Sequence, residues 1–175
     1  MDSPPITDAP ERRWLVLYTR SRTEKKLYEQ LSRSGVGSFL PLRKVMRQWA
    51  DRKKMIEQPL FPGYLFVYVN ERERIQALES QGAVKYVEFG GELAVVSETT
   101  IESLKIAARK PEDVRAEESA LKLGDPIVVS HGPLAGMRGR LMEFRGATRI
   151  AIEIEAIRQV VSVEVPLSEV RPIEG

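Results

Sequence analysis

The spacing of apolar residues predicts alternating strands and helices in the first two thirds of the chain. Unbroken apolar, β-branched and aromatic runs are typical of strands, and they occur at 14–19, 36–42, 63–69, 83–89 and 92–96. Between these runs, the helical spacing of apolar residues and local capping signals predict three helices. The order β-α-β, β-α-β predicts an α+β fold whose N-terminal domain is ferredoxin-like, a split βαβ arrangement.

The predicted helix starts rest on capping residues. Ser21 with Glu24, and Asn70 with Glu73, have the spacing of a capping box, and Ser97 is a third N-cap, for a helix over about 98–108. Gly35 is placed to end the first helix. At 100° per residue, that helix has an apolar face and a basic face. The apolar face holds Leu27, Tyr28 and Leu31, and the basic face holds Arg22, Lys25, Lys26, Glu29 and Arg33.

Two segments leave alternatives open. Residues 43–58 are either a long basic hairpin that turns near Asp51 or a short helix, and Trp49 within them either stacks on a base or pins the segment to the domain. Phe61 lies between two prolines at the mouth of the strand 63–69, where prolines cannot donate to a sheet. It therefore either caps the core or is held out for a partner.

The C-terminal third changes character. Short strands at 125–130, 139–144, 149–157 and 160–166, separated by glycine turns, predict a small SH3-like β-barrel. The charged segment 108–122, which contains a proline, is predicted to be a linker. The expected division is a disordered tail over 1–12, an N-terminal domain over 13–107, the linker over 108–122 and the barrel over 123–175.

Composition excludes several classes of protein. The chain has 175 residues, 42% of them apolar and 30% charged, and no cysteine. It lacks a run of about 18 apolar residues and an apolar N-terminal signal, which predicts a cytoplasmic protein with no membrane contact. The single histidine, His131, falls in a predicted turn, and the acidic residues lack metal-ligand spacing. We therefore expect a monomer that is no enzyme and has no catalytic residue, cofactor or metal.

Charge is concentrated near the N-terminus. Residues 12–57 carry 13 Lys and Arg against 4 Asp and Glu, so their net charge is 13 − 4 = +9, whereas the whole chain is only +2. Such a block predicts contact with a polyanion, and nucleic acid is the favoured one. The alternative is a merely solvated face.

Two sequence motifs, one in each part of the chain, resemble those of a known family and occur in the same order. The sequence "WLVLYTRSRTEKKL…LPL…PLFPGYLFV" resembles the N-terminal (NGN) domain of NusG-family transcription elongation factors, and "GDPIVVSHGPLAGMRGRL" is similar to their C-terminal KOW motif. The likeness covers about 14–172 and is strongest to specialised paralogues, such as RfaH and the antiterminators of polysaccharide operons. The KOW residues that match are Gly124, Asp125, Gly132, Pro133, Gly136 and Gly139.

The resemblance implies a transcription elongation and antitermination factor. Such a factor docks on the RNA polymerase clamp, contacts the non-template DNA strand and suppresses pausing or termination, while the KOW barrel recruits a small-subunit ribosomal protein or Rho. The residues implied for polymerase binding are Val16, Tyr18, Phe61, Pro62, Tyr64, Phe89 and Ile101. Those implied for DNA are Arg20, Lys26 and Arg33, to which the basic helix face adds Arg22 and Lys25. Ile157, at the tip of the long strand pair, is the expected contact on the barrel.

The pattern departs from RfaH in one place. The segment "RERIQALES" has no counterpart of the His-Thr-Thr-Thr stretch with which RfaH makes a second polymerase contact, so that contact is not expected here. The glycines and β-branched residues of the C-terminal third also oppose the helical hairpin that RfaH forms there. An alternative function is a KOW-containing, ribosome-associated nucleic-acid-binding protein, which would leave the N-terminal domain unexplained.

Overall fold

The computed structural model describes residues 11–118, 124–144 and 146–173 of the chain. The helices are α1 (Glu24–Arg33), α2 (Glu71–Leu78) and α3 (Glu98–Ala107). The strands before α3 are β1 (Arg13–Thr19), β2 (Gly37–Phe39), β3 (Leu42–Gln48), β4 (Lys53–Pro59), β5 (Tyr64–Val69), β6 (Ala83–Tyr86), β7 (Glu88–Phe89), β8 (Glu92–Leu93) and β9 (Val95–Val96). The strands after α3 are β10 (Arg115–Glu118), β11 (Pro126–Val129), β12 (Arg138–Phe144), β13 (Ala147–Ile154), β14 (Gln159–Glu164) and β15 (Val170–Pro172).

The N-terminal sheet has the strand order β2-β5-β1-β6, and its neighbours are antiparallel. This is the order of a split βαβ domain, in which each βαβ unit has a strand of the other inserted into it. The short β9 pairs with the start of β1, beside β6. The predicted α+β fold is confirmed, and the register places Tyr18 opposite Tyr64 and Val16 opposite Phe66.

Residues 42–59 form the β3–β4 hairpin, so the helical alternative for this segment is wrong. Met46 lies opposite Met55, and Arg47 lies opposite Lys54. The backbone N–H of Trp49 donates to the carbonyl of Arg52 at 2.8 Å, and this bond closes the turn. The predicted strand 36–42 is interrupted at Leu40 and Pro41, where the chain leaves the sheet to enter the hairpin.

Helix α1 begins two residues later than predicted. Thr23 is the N-cap and no side chain caps the helix, because Arg22 adopts a left-handed conformation (φ 62°) that turns the chain between Ser21 and the helix. The predicted Ser21–Glu24 capping box is therefore wrong. The other signals are confirmed: Asn70 and Glu73 form a capping box, and the Ser97 side chain accepts from the N–H of Thr100.

The N-terminal sheet is apolar on both faces. One face packs Leu15, Leu17 and Leu65 of the central strands against Leu27 and Leu31 of α1. The other face, which carries Val16 and Phe66, belongs to a second apolar cluster. That cluster includes α3 and continues into the C-terminal sheet, so the two parts of the chain share one core.

The C-terminal sheet has the order β10-β14-β13-β12-β11-β15, with antiparallel neighbours. The four strands predicted from apolar runs are present as β11 to β14. The predicted linker differs from the structure over Arg115–Glu118, because these residues pair with β14 as an edge strand. An edge strand is buried on fewer sides, so it can form from a charged sequence with few apolar residues.

Gly139 has no side chain because β12 and β13 approach closely there. A Cβ built on Gly139 would lie 2.3 Å from the carbonyl oxygen of Ala151. Gly139 lies inside strand β12, within the predicted strand 139–144. Gly132 and Gly136 do occupy the turn between β11 and β12, both with positive φ.

Helix α3 lies between the two sheets. It closes the second face of the N-terminal sheet and also contacts β12, β13 and β14. The backbone N–H of Arg138 donates to the Ser103 hydroxyl at 2.9 Å, which joins β12 to the helix. In the described part of the chain, no helix has the length and apolar character needed to cross a membrane.

Candidate functional site

One face of the N-terminal sheet is rich in aromatic side chains, and we call it the aromatic face. Its rings stack in neighbouring pairs across strands: Trp14 with Tyr68 at 5.1 Å between centroids, Tyr18 with Tyr64 at 5.0 Å, and Phe39 with Phe66 at 6.2 Å. These are tilted pairs within the range at which aromatic rings attract. The period of two along β1 and β5 places these residues together on the face opposite α1.

Tyr18 and Tyr64 form the accessible part of this face. Both side chains are half-buried, and both pack against the apolar cluster that the two sheets share. The Nζ of Lys85 lies 5.4 Å from the centre of the Tyr18 ring, a cation–π distance. Burial raises the pKa of Tyr64 above its ordinary value, and the neighbouring Tyr18 adds to the shift.

The structure divides the seven residues predicted for polymerase binding into two groups. Tyr18 and Tyr64 are half-buried, Pro62 is exposed and Phe89 is 60% exposed. The remaining three are buried in the apolar cluster that the two sheets share: Val16, Phe61 and Ile101. Only the first group can contact a partner in this conformation.

Phe61 is 3% exposed because a turn directs it inward. The N–H of Tyr64 donates to the carbonyl of Phe61 at 3.1 Å, which closes the turn before β5. Gly63 has φ 87° in this turn, and its N–H donates to the Glu24 carboxylate at 2.9 Å. The Phe61 ring meets Phe66 edge-on at 5.9 Å. Of the two alternatives for Phe61, the structure favours the core.

The five cations predicted for nucleic acid are all exposed, at the end of β1 and along α1: Arg20, Arg22, Lys25, Lys26 and Arg33. Two of them have partners within the chain. Lys25 Nζ donates to the carbonyl of Glu57 at 2.7 Å, and Arg33 lies 3.9 Å from Glu29. Tyr28 was expected on the apolar face but is 37% exposed, because it lies past the edge of the arc that Leu27 and Leu31 bury.

The KOW-like residues gather at the start of the C-terminal sheet. Gly124 and Asp125 precede β11, Gly132, Pro133 and Gly136 lie in the turn after it, and Gly139 lies in β12. His131 is exposed in that same turn, as predicted, with its Nδ1 3.0 Å from the Ser130 hydroxyl. Ile157 lies in the turn between β13 and β14, but its side chain is only 6% exposed.

Two buried charged groups were missed by the sequence interpretation. Glu24 is 5% exposed and accepts from Gly63, although it was predicted to cap α1. Arg149 is 2% exposed and pairs with Asp113 at 3.1 Å. An arginine inside the apolar run of β13 was a visible signal, since a buried arginine needs a partner. Among the described residues, histidine and carboxylate side chains do not gather into a set that could hold a metal ion.

Comparisons with known proteins agree with this fold. Residues 12–105 match the model of a family described as "Transcription termination factor nusG". The structure is similar to that of NusG from Thermotoga maritima, solved in a study titled "Domain interaction in Thermotoga maritima NusG", with 24% identity, a TM-score of 0.52, and coverage of 94% of this chain and 98% of that one. A looser likeness, with 11% identity and a TM-score of 0.31, covers 91% of this chain and 97% of a chain in the MjSpt4:Spt5 complex.

The chain belongs to the NusG family, because the family match spans more than half of its length. It is therefore a transcription factor and not an enzyme.

Proposed function

We propose that the chain is a transcription elongation and antitermination factor that docks on the clamp of RNA polymerase through the aromatic face. The observation that carries this proposal is the Tyr18–Tyr64 pair, two half-buried rings stacked at 5.0 Å. Large aromatic side chains that are held rigid before binding lose little entropy on docking, and such residues are enriched among interface hot spots.

The exposed members of the predicted set complete this docking surface. Pro62 follows Phe61 in the turn before Tyr64, and Phe89 lies in β7, which follows β6 and pairs with β8. Val16, Phe61 and Ile101 are buried in the apolar cluster against which Tyr18 and Tyr64 pack, so their part is to hold the two rings in place. An apolar surface of this kind suits the apolar side of a partner helix, which is how the clamp helices would dock.

We expect the substitution Tyr64→Ala to lower the affinity for RNA polymerase roughly 30- to 700-fold, corresponding to about 2–4 kcal/mol of lost binding energy. Binding is measured by titrating labelled polymerase with the purified chain. Tyr28→Ala is the matched control, since it removes an exposed tyrosine from α1 on another surface. Unchanged polymerase affinity in a folded Tyr64→Ala variant would show that the aromatic face is not the docking surface.

The basic residues at α1, on the other side of the sheet from the aromatic face, would bind the non-template DNA strand. Lys26 and Arg33 are exposed on α1, and Arg22 is exposed in the turn just before it. Each phosphate that a cation neutralises adds to the salt dependence of binding. Replacing these three residues with alanine should flatten the slope of log affinity against log salt by roughly 2–3. The control replaces three exposed arginines elsewhere, Arg72, Arg109 and Arg171. Equal slopes for the two triple variants would mean that the α1 face is only solvated.

The C-terminal sheet would recruit a second partner, a small-subunit ribosomal protein or Rho, through its KOW-like residues. Ile157 is buried in this conformation, so its contact with that partner requires the β13–β14 turn to open. Affinity capture from lysate separates the proposal from a ribosome-bound role: RNA polymerase is expected with the intact chain and is lost with Tyr64→Ala. Recovery of ribosomal particles without polymerase would support the ribosome-associated alternative.

A further inference from the structure

Among the described helices and hairpins, the β3–β4 hairpin, residues 42–59, has the largest net positive charge. It carries six cations, Arg43, Lys44, Arg47, Arg52, Lys53 and Lys54, against the two anions Asp51 and Glu57, so its net charge is 6 − 2 = +4. Across a two-stranded antiparallel pair, opposed residues share a face and successive pairs alternate between faces. Arg47 and Lys54 therefore lie on the same face as the opposed pair Val45 and Ile56.

Trp49 lies at the tip of this hairpin and is 50% exposed. The turn is closed by backbone, since the N–H of Trp49 donates to the carbonyl of Arg52. Half of the largest apolar side chain in the chain thus stays in water, on an element that does not need it to form its turn. This exposure disfavours the interpretation that Trp49 pins the hairpin to the domain.

The Ile56 face of the hairpin turns toward α1 across a groove of about 380 Å³. Arg22 and Lys25 contribute cations from the side of the helix, and Arg47 contributes one from the hairpin. Ile56, Pro59 and Pro62 supply apolar lining. The carboxylate of Glu24, which also lines the groove, is already bonded to the N–H of Gly63.

These features match the chemistry of a nucleic acid single strand. Cations on both sides of a groove follow a phosphate backbone, apolar lining suits sugars and bases, and an exposed tryptophan offers a ring on which an unpaired base can stack. A base inside a duplex is already stacked on its neighbours, so it cannot cover the Trp49 ring without leaving the helix. The combination therefore favours a single strand over a duplex.

We propose that the hairpin is a single-stranded nucleic-acid-binding element. The strand passes from the groove beside α1 along the Arg47–Lys54 face, and one base stacks on Trp49. This inference deepens the proposed function, on which it rests for the presence of nucleic acid at α1. It adds a second contact surface, about four residues or roughly 13 Å along the strands from Ile56 to the tip.

The test uses the full chain and fluorescein-labelled 15-nucleotide probes of oligo-dT, oligo-U and duplex DNA. Trp49→Ala should weaken binding of both single-stranded probes roughly 5- to 140-fold, the effect of removing one aromatic stacking platform. Trp49→Phe should retain most of the affinity, because phenylalanine keeps a ring. Met46→Ala is the matched control, since Met46 is exposed on the opposite face of the hairpin, and it should bind as the unsubstituted chain does.

A second measurement, tryptophan fluorescence, monitors Trp49 at the tip of the hairpin directly. The chain has two tryptophans, so Trp14→Phe leaves Trp49 as the sole indole, and saturating unlabelled oligo-dT should quench its fluorescence. Arg47→Ala with Lys54→Ala should flatten the salt slope for single strands by roughly 1.4, whereas Trp49→Ala should leave the slope unchanged. The same measurement is made on the variant in which Arg22, Lys26 and Arg33 are replaced by alanine. Full quenching of Trp49 at saturation in that variant would show that the hairpin binds the single strand even without the cations at α1.

Three results would overturn the proposal. The first is unchanged oligonucleotide affinity in Trp49→Ala with no quenching of Trp49. The second is equally tight binding of duplex and single strands, insensitive to Trp49, which would mean contact with the phosphate backbone alone. The third is normal oligonucleotide binding together with weaker binding of Trp49→Ala to nucleic-acid-free RNA polymerase, which would make the tip a protein contact.

Discussion

Replacing Phe61 with alanine is expected to lower the free energy of unfolding by about 3–5 kcal/mol, the usual cost of emptying a buried aromatic site. Phe61 is 3% exposed and its ring packs edge-on against Phe66 in the cluster that the two sheets share. Truncation leaves a cavity that neighbouring strands cannot fill, because Phe66 is held in register opposite Val16. The folded fraction should still bind RNA polymerase, since Tyr18 and Tyr64 keep their places.

Denaturant unfolding and polymerase titration on the same variant decide this prediction. Phe89→Ala is the matched control, because it makes the same substitution at a side chain that is 60% exposed, and we expect its stability to change by less than about 0.5 kcal/mol. The prediction is wrong if Phe61→Ala has the same free energy of unfolding as the unsubstituted chain but no longer binds polymerase. Phe61 would then be a docking residue.

The prolines around Phe61 show what the sequence can predict here and what it cannot. Two prolines and a glycine predict a stiff turn at the mouth of β5, and the turn is present. Whether a turn directs its aromatic side chain inward or outward depends on what packs over it. For Phe61 the deciding neighbours include Phe66, opposite Val16 in the sheet, and the N–H of Gly63 held by Glu24 from α1. The pairing of Phe66 with Val16 and the bond from Gly63 to Glu24 join residues that are far apart in the sequence.

Local signals were reliable for the elements themselves. The N-caps at Asn70 and Ser97 depend on residues three apart, and the structure confirms both. The capping box predicted at Ser21 is absent because Arg22 has a left-handed backbone conformation. An arginine in the sequence does not predict that conformation. For the basic hairpin, the sequence alone does not decide between strand and helix, because Arg, Lys and Met suit helices. The strand is selected by cross-strand pairing, such as that of Met46 with Met55.

The predicted site depended on the tertiary arrangement in the same way. The period of two along β1 and the start of β5 were enough to place Tyr18 beside Tyr64. The burial of Ile101 and Ile157 was not predictable, because it comes from the packing of α3 and the C-terminal sheet into one apolar cluster. In this structure Ile101 and Ile157 are core residues.

The segment after α3 illustrates how charge composition can mislead. Its acidic and basic residues indicated a linker, yet Asp113 is held by the C-terminal sheet and Arg115–Glu118 form its edge strand. The Pro111 carbonyl also accepts from the N–H of Lys44 at 2.8 Å, which ties the segment to the hairpin. Only a few residues thus separate the end of α3 from the C-terminal sheet, and this short connection favours the packing of that sheet on α3.

Asp113→Ala is expected to lower the free energy of unfolding by about 3 kcal/mol, at the lower end of the range for breaking a buried ion pair. The reason is that Asp113 pairs with a buried cation, Arg149, which is only 2% exposed. Arg149 Nη1 lies 3.1 Å from Asp113 Oδ1. The Arg149 guanidinium also donates to the Ser162 hydroxyl and to the Asp113 carbonyl. Removal of the carboxylate leaves a buried guanidinium without its anion. It also leaves the N–H of Glu164 without the oxygen that now accepts from it.

The pH dependence has a definite sign. Burial raises the pKa of Asp113, but the N–H of Glu164 and the Arg149 guanidinium outweigh it, so that the pKa lies below its ordinary value. A carboxyl group with a depressed folded-state pKa contributes its full stability above the unfolded value of about 3.9, and loses it as the pH falls through the folded value. The difference in unfolding free energy between the unsubstituted chain and Asp113→Ala should therefore be constant near neutral pH and shrink below about pH 4.

Two further variants separate the ion pair from simple loss of packing. Glu112→Ala removes an exposed carboxylate one residue away and should change stability by less than about 0.5 kcal/mol. Arg149→Met combined with Asp113→Ala removes both charges, and it should recover much of the loss because the uncompensated buried cation is gone. The account of Asp113 fails if the single variant unfolds within about 0.5 kcal/mol of the unsubstituted chain, or if the double variant is less stable than Asp113→Ala alone.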